Sequence, residues 1–353
     1  MQNKVVLFRN FLYPVEKNVK LYSDIIGQIN SMQIMKTIEL TLGIDIGGTN
    51  TKFGLVDKKG HIYHRDSLET EADKPAEFLF KRLFEKLNKG IVNTPEKFSI
   101  KGIGIGAPNA NHYTGLIDNP PNLSWINVDL FALVKQHVDL PVSVTNDANA
   151  AALGEMVFGN AHGMQNFIEI TLGTGVGSGI VVNGELVYGH DGFAGEMGHV
   201  IIERNGRLCG CGRHGCLEAY ASATGITRTM RRLLDSSDQP SDLRFLSNAE
   251  LSSKKIYNAA LAKDRLALEA FEITGRYLGE GMANAALYFS PEAFILFGGL
   301  AAAGDLIFLP VKKYMEANLL PIFRNKIKIL PSGLPMSDAA ILGSSALIWH
   351  EIA

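Results

Sequence analysis

Apolar residues run through this chain in short bursts separated by glycine-rich turns, from residue 37 almost to the C-terminus. Residues 37–56 carry an apolar run ending at Asp45, a turn of Gly47-Gly48-Thr49-Asn50, and a second apolar run. That pattern predicts strand, tight turn, strand. The Lys59-Gly60 turn predicts a third, edge strand over 58–64. Over 75–89 the period changes: Phe78, Leu79, Leu83, Phe84 and Leu87 share one helical face. A buried strand is expected over 100–106 and a helix over 128–137. Pro141 opens a short strand ending at Thr145, and Asn146-Asp147 start an alanine-rich helix. Residues 166–186 then repeat the grammar of 37–64. An apolar strand meets a glycine turn (Gly173-Thr174-Gly175, then Gly177), a second strand follows, and an Asn183-Gly184 turn leads to a third. Further on, the pattern predicts helix through 233, a polar surface excursion over 235–253 and one helical stretch over 254–287. A strand over 294–297 ends on Gly298-Gly299, a helix follows, and the chain closes with a strand over 326–330 and a helix over 339–350.

Strands alternating with helices predict an α/β fold, and the repeated grammar predicts an internal duplication with two units facing one cleft. Length agrees: 353 residues suffice for two domains of ordinary size. With 46% apolar and 20% charged residues, a substantial core can form. A net charge of −2 gives no electrostatic reason to expect nucleic acid as a partner. No apolar run approaches the roughly 20 residues of a membrane span, so no membrane partner is expected. Residues 1–36 have no sustained period and no signal-peptide pattern. They read as a flexible extension, with a short docking helix over 19–29 as the alternative. Met32 and Met35 stand just before the first strand as alternative translation starts. A reduced cytoplasm fits this pattern.

Candidate chemistry concentrates in residues 191–218. All three cysteines lie there, as Cys209, Cys211 and Cys216, with His199 ten residues before the first. Cys-x-Cys-x4-Cys lets three thiolates converge, and His199 can complete a Cys3His set of the kind that holds tetrahedral structural zinc. The same cysteines could serve as small buried hydrophobes, as free thiols or as a disulfide. An odd count and the closeness of Cys209 to Cys211 argue against the disulfide. Four protein ligands would leave no open position, so such a zinc would be structural and not a Lewis acid. Glu196 and Glu218 bracket the cluster and would be presented rigidly to a substrate.

The two glycine turns can bare backbone N–H groups to phosphate. Neither is a Walker A or Rossmann turn, because a strand follows each. Asp45, at a strand end, is placed to hold Mg²⁺ through water. Each turn taken alone is equally a plain hairpin; occurring as a pair favours phosphate. Asp147, near a helix N-terminus, is expected to stay ionised and able to accept a proton, with a simple N-cap as the alternative. The loops bearing Pro108-Asn109 and Asn119–Leu123, with Asn122, suit a sugar-recognition wall. Gly298-Gly299 after a strand offers a place for a flat base against backbone.

These motifs, in this order, resemble the ROK family of sugar kinases and related repressors. They are DIGGTNTKFGLVD (45–57), NDANAAALGE (146–155), LGTGVGSG (172–179), GEMGH (195–199), CGCGRHGCLE (209–218) and LFGG (296–299). The resemblance covers 38 to about 350 and implies the two-domain actin-like (ribonuclease H-like) ATPase fold with a cleft between domains. It implies a small α/β domain over 37–146 with the helix of 338–353 packing back on it, and a large domain over 147–337 carrying the zinc loop. It implies ATP with Mg²⁺ and a structural Zn²⁺, a homodimer, and transfer of phosphate from ATP to a hexose. Glucose is the first expectation; a hexosamine kinase or a non-enzymatic sugar sensor are the alternatives. By this resemblance Asp147 is the catalytic base. Asn109, Asn122, Asn146, Asp147, Glu196, His199 and Glu218 contact sugar. Asp45, Gly47, Gly48, Thr49, Asn50 and Lys52 bind ATP and its phosphates, with Gly173, Thr174, Gly175, Gly177, Gly298 and Gly299. His199, Cys209, Cys211 and Cys216 hold zinc.

Overall fold

A computed structural model describes residues 37–91, 97–117, 120 and 123–352. The expectations for residues 1–36 and for Asn119 and Asn122 lie outside the described residues. Strands β1 (Ile38–Ile46), β2 (Asn50–Val56) and β3 (Ile62–Glu69) form an antiparallel meander. Helix α1 (Ala76–Ile91) crosses over to β4 (Phe98–Gly106), which lies parallel to β1. The short strands β5 (Leu116–Ile117) and β6 (Val128–Asp129) pair with each other ahead of α2 (Leu130–Lys135). Strand β7 (Val142–Thr145) then adds parallel to β4, giving the order β3-β2-β1-β4-β7.

Helix α3 (Asp147–Phe158) leads to a second sheet. Strands β8 (Phe167–Leu172), β9 (Val176–Val182) and β10 (Glu185–Leu186) again form an antiparallel meander. Helices α4 (Glu218–Ala221), α5 (Ala223–Ser236), α6 (Ser253–Leu261) and α7 (Arg265–Phe289) precede β11 (Ala293–Phe297). Helix α8 (Asp305–Asn318), β12 (Lys328–Pro331) and α9 (Ala339–Ile352) complete the chain. The second sheet runs β10-β9-β8-β11-β12, the same topology as the first. The repeat read from the glycine turns is therefore a repeat of whole sheets.

Each sheet has its own core. Leu42, Ile44, Ile103 and Ile105 of the first pack with Leu79, Phe80 and Leu83 of α1, all essentially buried. Ile168, Ile170, Phe294 and Leu296 of the second pack with Phe271, Leu278 and Met282 of α7. The opposite face of the first sheet carries α9 at very short range. A Cβ on Gly104 would lie 1.8 Å from the Ser344 carbonyl oxygen, and one on Gly43 2.4 Å from that of Ile341. Thr41 and Ser345 share a buried hydroxyl–hydroxyl hydrogen bond of 2.6 Å, and Trp349 Nε1 donates to the Val56 carbonyl. Helix α3 fits between α9 and the second sheet. A Cβ on Gly343 would meet the Ala150 carbonyl at 2.6 Å, and one on Gly179 the Ala152 methyl at 2.5 Å. Covered on both sides, α3 needs small residues all round, which accounts for its alanine content.

Three expectations are corrected. The helix expected over 128–137 gives its first two residues to β6, and Asp129 caps the remainder by accepting from the Ala132 N–H. The stretch 254–287 is two helices. Lys263 takes φ +68°, and Asp264 N-caps α7 by accepting from the Ala267 N–H at 3.0 Å. The excursion over 235–253 holds a short helical turn at Asp242–Phe245 and buries Leu243 and Leu251.

Candidate active site

One cleft of about 790 Å³ draws its walls from both sheets. The first contributes Asp45 at the end of β1, Lys52 on β2, Pro108 and Asn109 after β4, and Asn146 and Asp147 after β7. The second contributes Gly173, Thr174, Gly175 and Gly177 from the β8–β9 hairpin, Glu196 from the loop beyond it and Glu218 from the start of α4. Both sheets thus present their equivalent hairpins, or residues flanking them, to one space.

Asp147 sits in the first turn of α3. The Asn146 side chain caps that turn, accepting from the Asn149 N–H at 2.7 Å, so the N-cap role belongs to Asn146. The Asp147 carboxylate is left to face the cleft, accepting the neighbouring Ala148 N–H at 2.9 Å. It is open to water from the cleft side and densely surrounded by protein on the others. Burial raises its pKa above the ordinary carboxylate value, against the lowering effect of the Ala148 N–H. Desolvation thus opposes the helix N-terminus, which favours the ionised form. Burial also lifts Asp45 to about 7, with the Asp147 charge adding to the rise and Lys52 opposing it. Asp45, Asp147 and Lys52 meet at the base of the cleft, where a bound cation would favour the ionised form of both carboxyl groups.

Around the second hairpin the local chemistry is explicit. The Gly173 N–H donates to the Gly175 carbonyl at 3.1 Å, closing the turn. Glu218 Oε2 accepts the Val176 N–H at 3.1 Å, and a Cβ on Gly175 would come within 2.4 Å of that oxygen. Glycine at 175 is therefore needed for the carboxylate to reach the hairpin. Thr224 on α5 donates to the Thr174 carbonyl at 3.0 Å. Glu196 is held from behind: Ser178 Oγ donates to the Gly195 carbonyl and accepts the Met197 N–H. Burial raises the Glu196 pKa; the Asp147 and Glu218 charges add to the rise, and His199 offsets part of it.

His199, Cys209, Cys211 and Cys216 converge behind Glu196 and Glu218, with all four ligand atoms within 4.8 Å of one another. Cys209 Sγ lies 3.7 Å from His199 Nδ1, and Cys211 Sγ lies 3.7 Å from Cys216 Sγ. Two sulfurs each about 2.3 Å from a tetrahedral centre are about 3.8 Å apart, so the set fits Zn²⁺. Gly212 and Gly215 both take φ +83°, which turns the knuckle back on itself. The other nitrogen of His199, Nε2, points toward Glu196, 4.0 Å from its Oε2.

Asp45, Lys52, Asn109, Asn146, Asp147, Gly173, Thr174, Gly175, Gly177, Glu196, Cys209 and Glu218 thus line one space. The turn residues Gly47, Gly48, Thr49 and Asn50 stand outside its wall, as do Gly298-Gly299, next to Phe297 which lines it. Sequence reasoning gave no role to Phe193, Thr171, Thr224 or Arg228, which also line the cleft. Arg228 Nη1 donates to the Leu208 carbonyl beside Cys209. Thr224 and Arg228 fall one helical turn apart, a spacing that flags a shared face but not which space that face meets.

The sequence model of the ROK family matches residues 41–351. The chain belongs to the ROK family. Its relatives include the glucokinase of Halalkalibacterium halodurans, 35% identical over 88% of this chain and 95% of that protein. The xylose repressor of Bacillus subtilis is 31% identical over 88% of this chain and 77% of its own length. Among solved structures, the ROK family glucokinase of Streptomyces griseus in complex with glucose and AMPPNP superposes with a TM-score of 0.71. It is 33% identical, over 87% of this chain and 98% of that one. The two-sheet architecture is the actin-like ATPase fold of these ROK structures.

Proposed function

We propose that this chain transfers the γ-phosphoryl group of ATP to a hydroxyl of a hexose, with glucose as first substrate and its 6-hydroxyl as acceptor. The observation that carries the reading is the cleft itself. A carboxylate with a raised pKa faces two acidic sugar-wall residues, Glu196 and Glu218, and a glycine hairpin, all in one space. The glucokinase relatives support both the reaction and the acceptor.

Phosphoryl transfer needs alignment and charge neutralisation more than covalent chemistry. In this reading Asp147 accepts the proton of the attacking hydroxyl. Asn109, Asn122, Asn146, Glu196, His199 and Glu218 fix the ring. The Gly47–Asn50 turn, Lys52 and the Gly173–Gly177 hairpin hold the phosphates, and Gly298-Gly299 borders the adenosine. Asp45 would hold Mg²⁺ through water, and that ion would neutralise phosphate charge. Zn²⁺ on His199, Cys209, Cys211 and Cys216 would supply rigidity alone, because four protein ligands close its shell. Residues 37–146 with the C-terminal helix form one lobe and 147–337 the other; their closure on the sugar would exclude water and suppress ATP hydrolysis. The family resemblance also suggests a homodimer, a cytoplasmic setting and glycolytic use of the product. No described helix is long and apolar enough to cross a membrane.

The test is a coupled assay of ADP release with ATP·Mg²⁺ across glucose, mannose, fructose, N-acetylglucosamine and N-acetylmannosamine. The reading expects the highest kcat/KM with glucose. Tight sugar binding with no turnover for any sugar would overturn it in favour of a sensor.

A further inference from the structure

Between the two sheets, away from the phosphate hairpins, the loop after β4 is tied to the segment after β10. Asn111, only 7% exposed, makes both halves of the tie. Its Oδ1 accepts the N–H groups of Tyr113 and Thr114 at 3.0 and 3.1 Å, shaping its own loop. Its Nδ2 donates across to the Asp191 carbonyl at 2.6 Å. Two further contacts run alongside. Tyr113 Oη donates to the Gly189 carbonyl at 2.8 Å, and the His112 ring stacks on Tyr188 with centroids 3.9 Å apart and planes within 4°. The receiving segment is a turn closed by the Ala194 N–H on the Tyr188 carbonyl at 3.0 Å. Gly192, at φ +87°, has no room for a side chain there: a Cβ would lie 2.6 Å from Asn111 Nδ2.

What each end carries gives the tie its meaning. Upstream of Asn111 are Pro108 and Asn109; downstream of Asp191 are Phe193 and Glu196; all four line the cleft. The Gly173–Gly177 hairpin is braced separately, by Glu218 and Thr224. We propose that Asn111 is a positioning residue for the acceptor sugar, setting the Pro108–Asn109 wall at a fixed distance from the Phe193–Glu196 wall. The inference rests on the sugar-kinase reading above. A residue that only formed its own loop turn would need Oδ1 alone; the cross-sheet Nδ2 bond distinguishes the two roles.

Two substitutions separate them. Asn111→Asp keeps an oxygen for the Tyr113 and Thr114 N–H groups and removes the donor to Asp191. Tyr113→Phe removes the donor to Gly189 and keeps the ring. Tyr113→Phe is expected to melt as the wild type does and Asn111→Asp somewhat lower, because its buried carboxylate oxygen faces the Asp191 carbonyl; each should raise sugar KM about five- to tenfold with kcat and ATP KM within about twofold. Asn111→Ala, which loses both roles, is expected to lower the melting temperature as well. The proposal is overturned if folded Asn111→Asp and Tyr113→Phe keep the wild-type sugar KM, or if ATP KM rises by the same factor as sugar KM. Calorimetric titration of glucose into the wild type and the same three variants gives an independent reading. If the wild type binds glucose without turnover, the kinase reading fails while a weakened titration in the variants still supports the tie. A wild type that binds no sugar overturns both.

Discussion

Glu218 accepts the backbone N–H of Val176 at 3.1 Å, and its other oxygen lies 3.3 Å from Cys209 Sγ. The cysteine loop and the β8–β9 hairpin therefore share one carboxylate as a brace. The sequence predicts that zinc loss damages sugar affinity and the folding of this loop before it affects nucleotide binding; this contact, with the bond from Arg228 to the Leu208 carbonyl, adds the hairpin to what the loop supports. Metal analysis of protein purified without added zinc should give about one Zn²⁺ per chain. Chelation should then raise sugar KM most and ATP KM as well, by at least about twofold. An unchanged ATP KM after complete zinc removal would show that the brace does not depend on the metal.

Asp147 bears the burden of proton transfer in the proposed reaction. Asp147→Asn removes the acceptor while keeping the shape. Turnover should fall by about 10² or more with glucose binding kept within a few-fold. Near-normal kcat in a folded variant would remove Asp147 from the base role. The raised pKa also sets a sign. Only the ionised form accepts a proton, so kcat/KM should fall as pH drops, with the acid limb above the ordinary aspartate range. For stability the sign is opposite. The folded chain holds this proton more tightly than the unfolded chain, so the favourable contribution is complete at low pH and is lost as pH rises through the folded pKa.

Much of this site could be read from the sequence, and the reasons are local. Asn146-Asp147 before an alanine-rich run is a capping signal two residues long. The knuckle packs its three cysteines into eight residues. The paired hairpins repeat within one grammar. The sheet duplication followed, because each hairpin is the start of a whole meander. What could not be read depends on contacts between distant segments. Asn111 reaches Asp191 across 80 residues, and nothing in NHYTG announces a partner. The break at Lys263-Asp264 is a single left-handed residue inside a stretch of good helix formers. The protonation of Asp147 depends on how much protein surrounds it, which a helix N-terminus signal does not contain.

Asp45, with a pKa near 7, places a cost on the nucleotide-free chain. Unfolded, it ionises near 3.8; folded, it resists, so folding stability declines as pH rises from about 4 to 7 and stays lower above. Asp45→Asn removes that cost. The variant should be more stable than wild type at pH 8, on the order of 1–3 kcal/mol once screening by cleft water is allowed for, and should lose most turnover. Denaturant titrations at pH 5 and pH 8 check this: the gain should be present at pH 8 and shrink at pH 5. A gain equal at both would point to a cause other than this carboxyl group.

The contact of α9 with the first sheet leaves no space for a methyl group. Gly104→Ala would put a Cβ 1.8 Å from the Ser344 carbonyl, a backbone atom within a helix that cannot yield without shifting as a body. A loss of about 3 kcal/mol or more is expected, and the variant should expose α9 to early proteolysis. Gly163→Ala is the control for the loss of a glycine in open space: no atom lies within 4 Å of its Cβ position, so only its φ of +82° is strained. It should cost about 1 kcal/mol. Equal losses in the two variants would mean that α9 is not seated on the sheet at Gly104.

Glu169 lies wholly buried in β8, under the helix that carries Asp147. One oxygen accepts the Thr171 hydroxyl at 2.9 Å, and the other has no partner among the described residues. Burial, with the Glu155 and Asp147 charges added, raises its pKa well above the ordinary value and so favours the neutral acid. Glutamine has the same shape and the same charge as that neutral acid. Glu169→Gln should therefore fold with a stability within about 1 kcal/mol of wild type at pH 6 and retain turnover. The wild type should lose stability more steeply than the variant as pH rises, because only the wild type is forced toward a buried carboxylate. Thermal melts of both proteins from pH 6 to pH 9 decide it. Parallel curves, or a variant already crippled at pH 6, would mean that Glu169 works as an anion and that a cation or a bound donor satisfies its second oxygen.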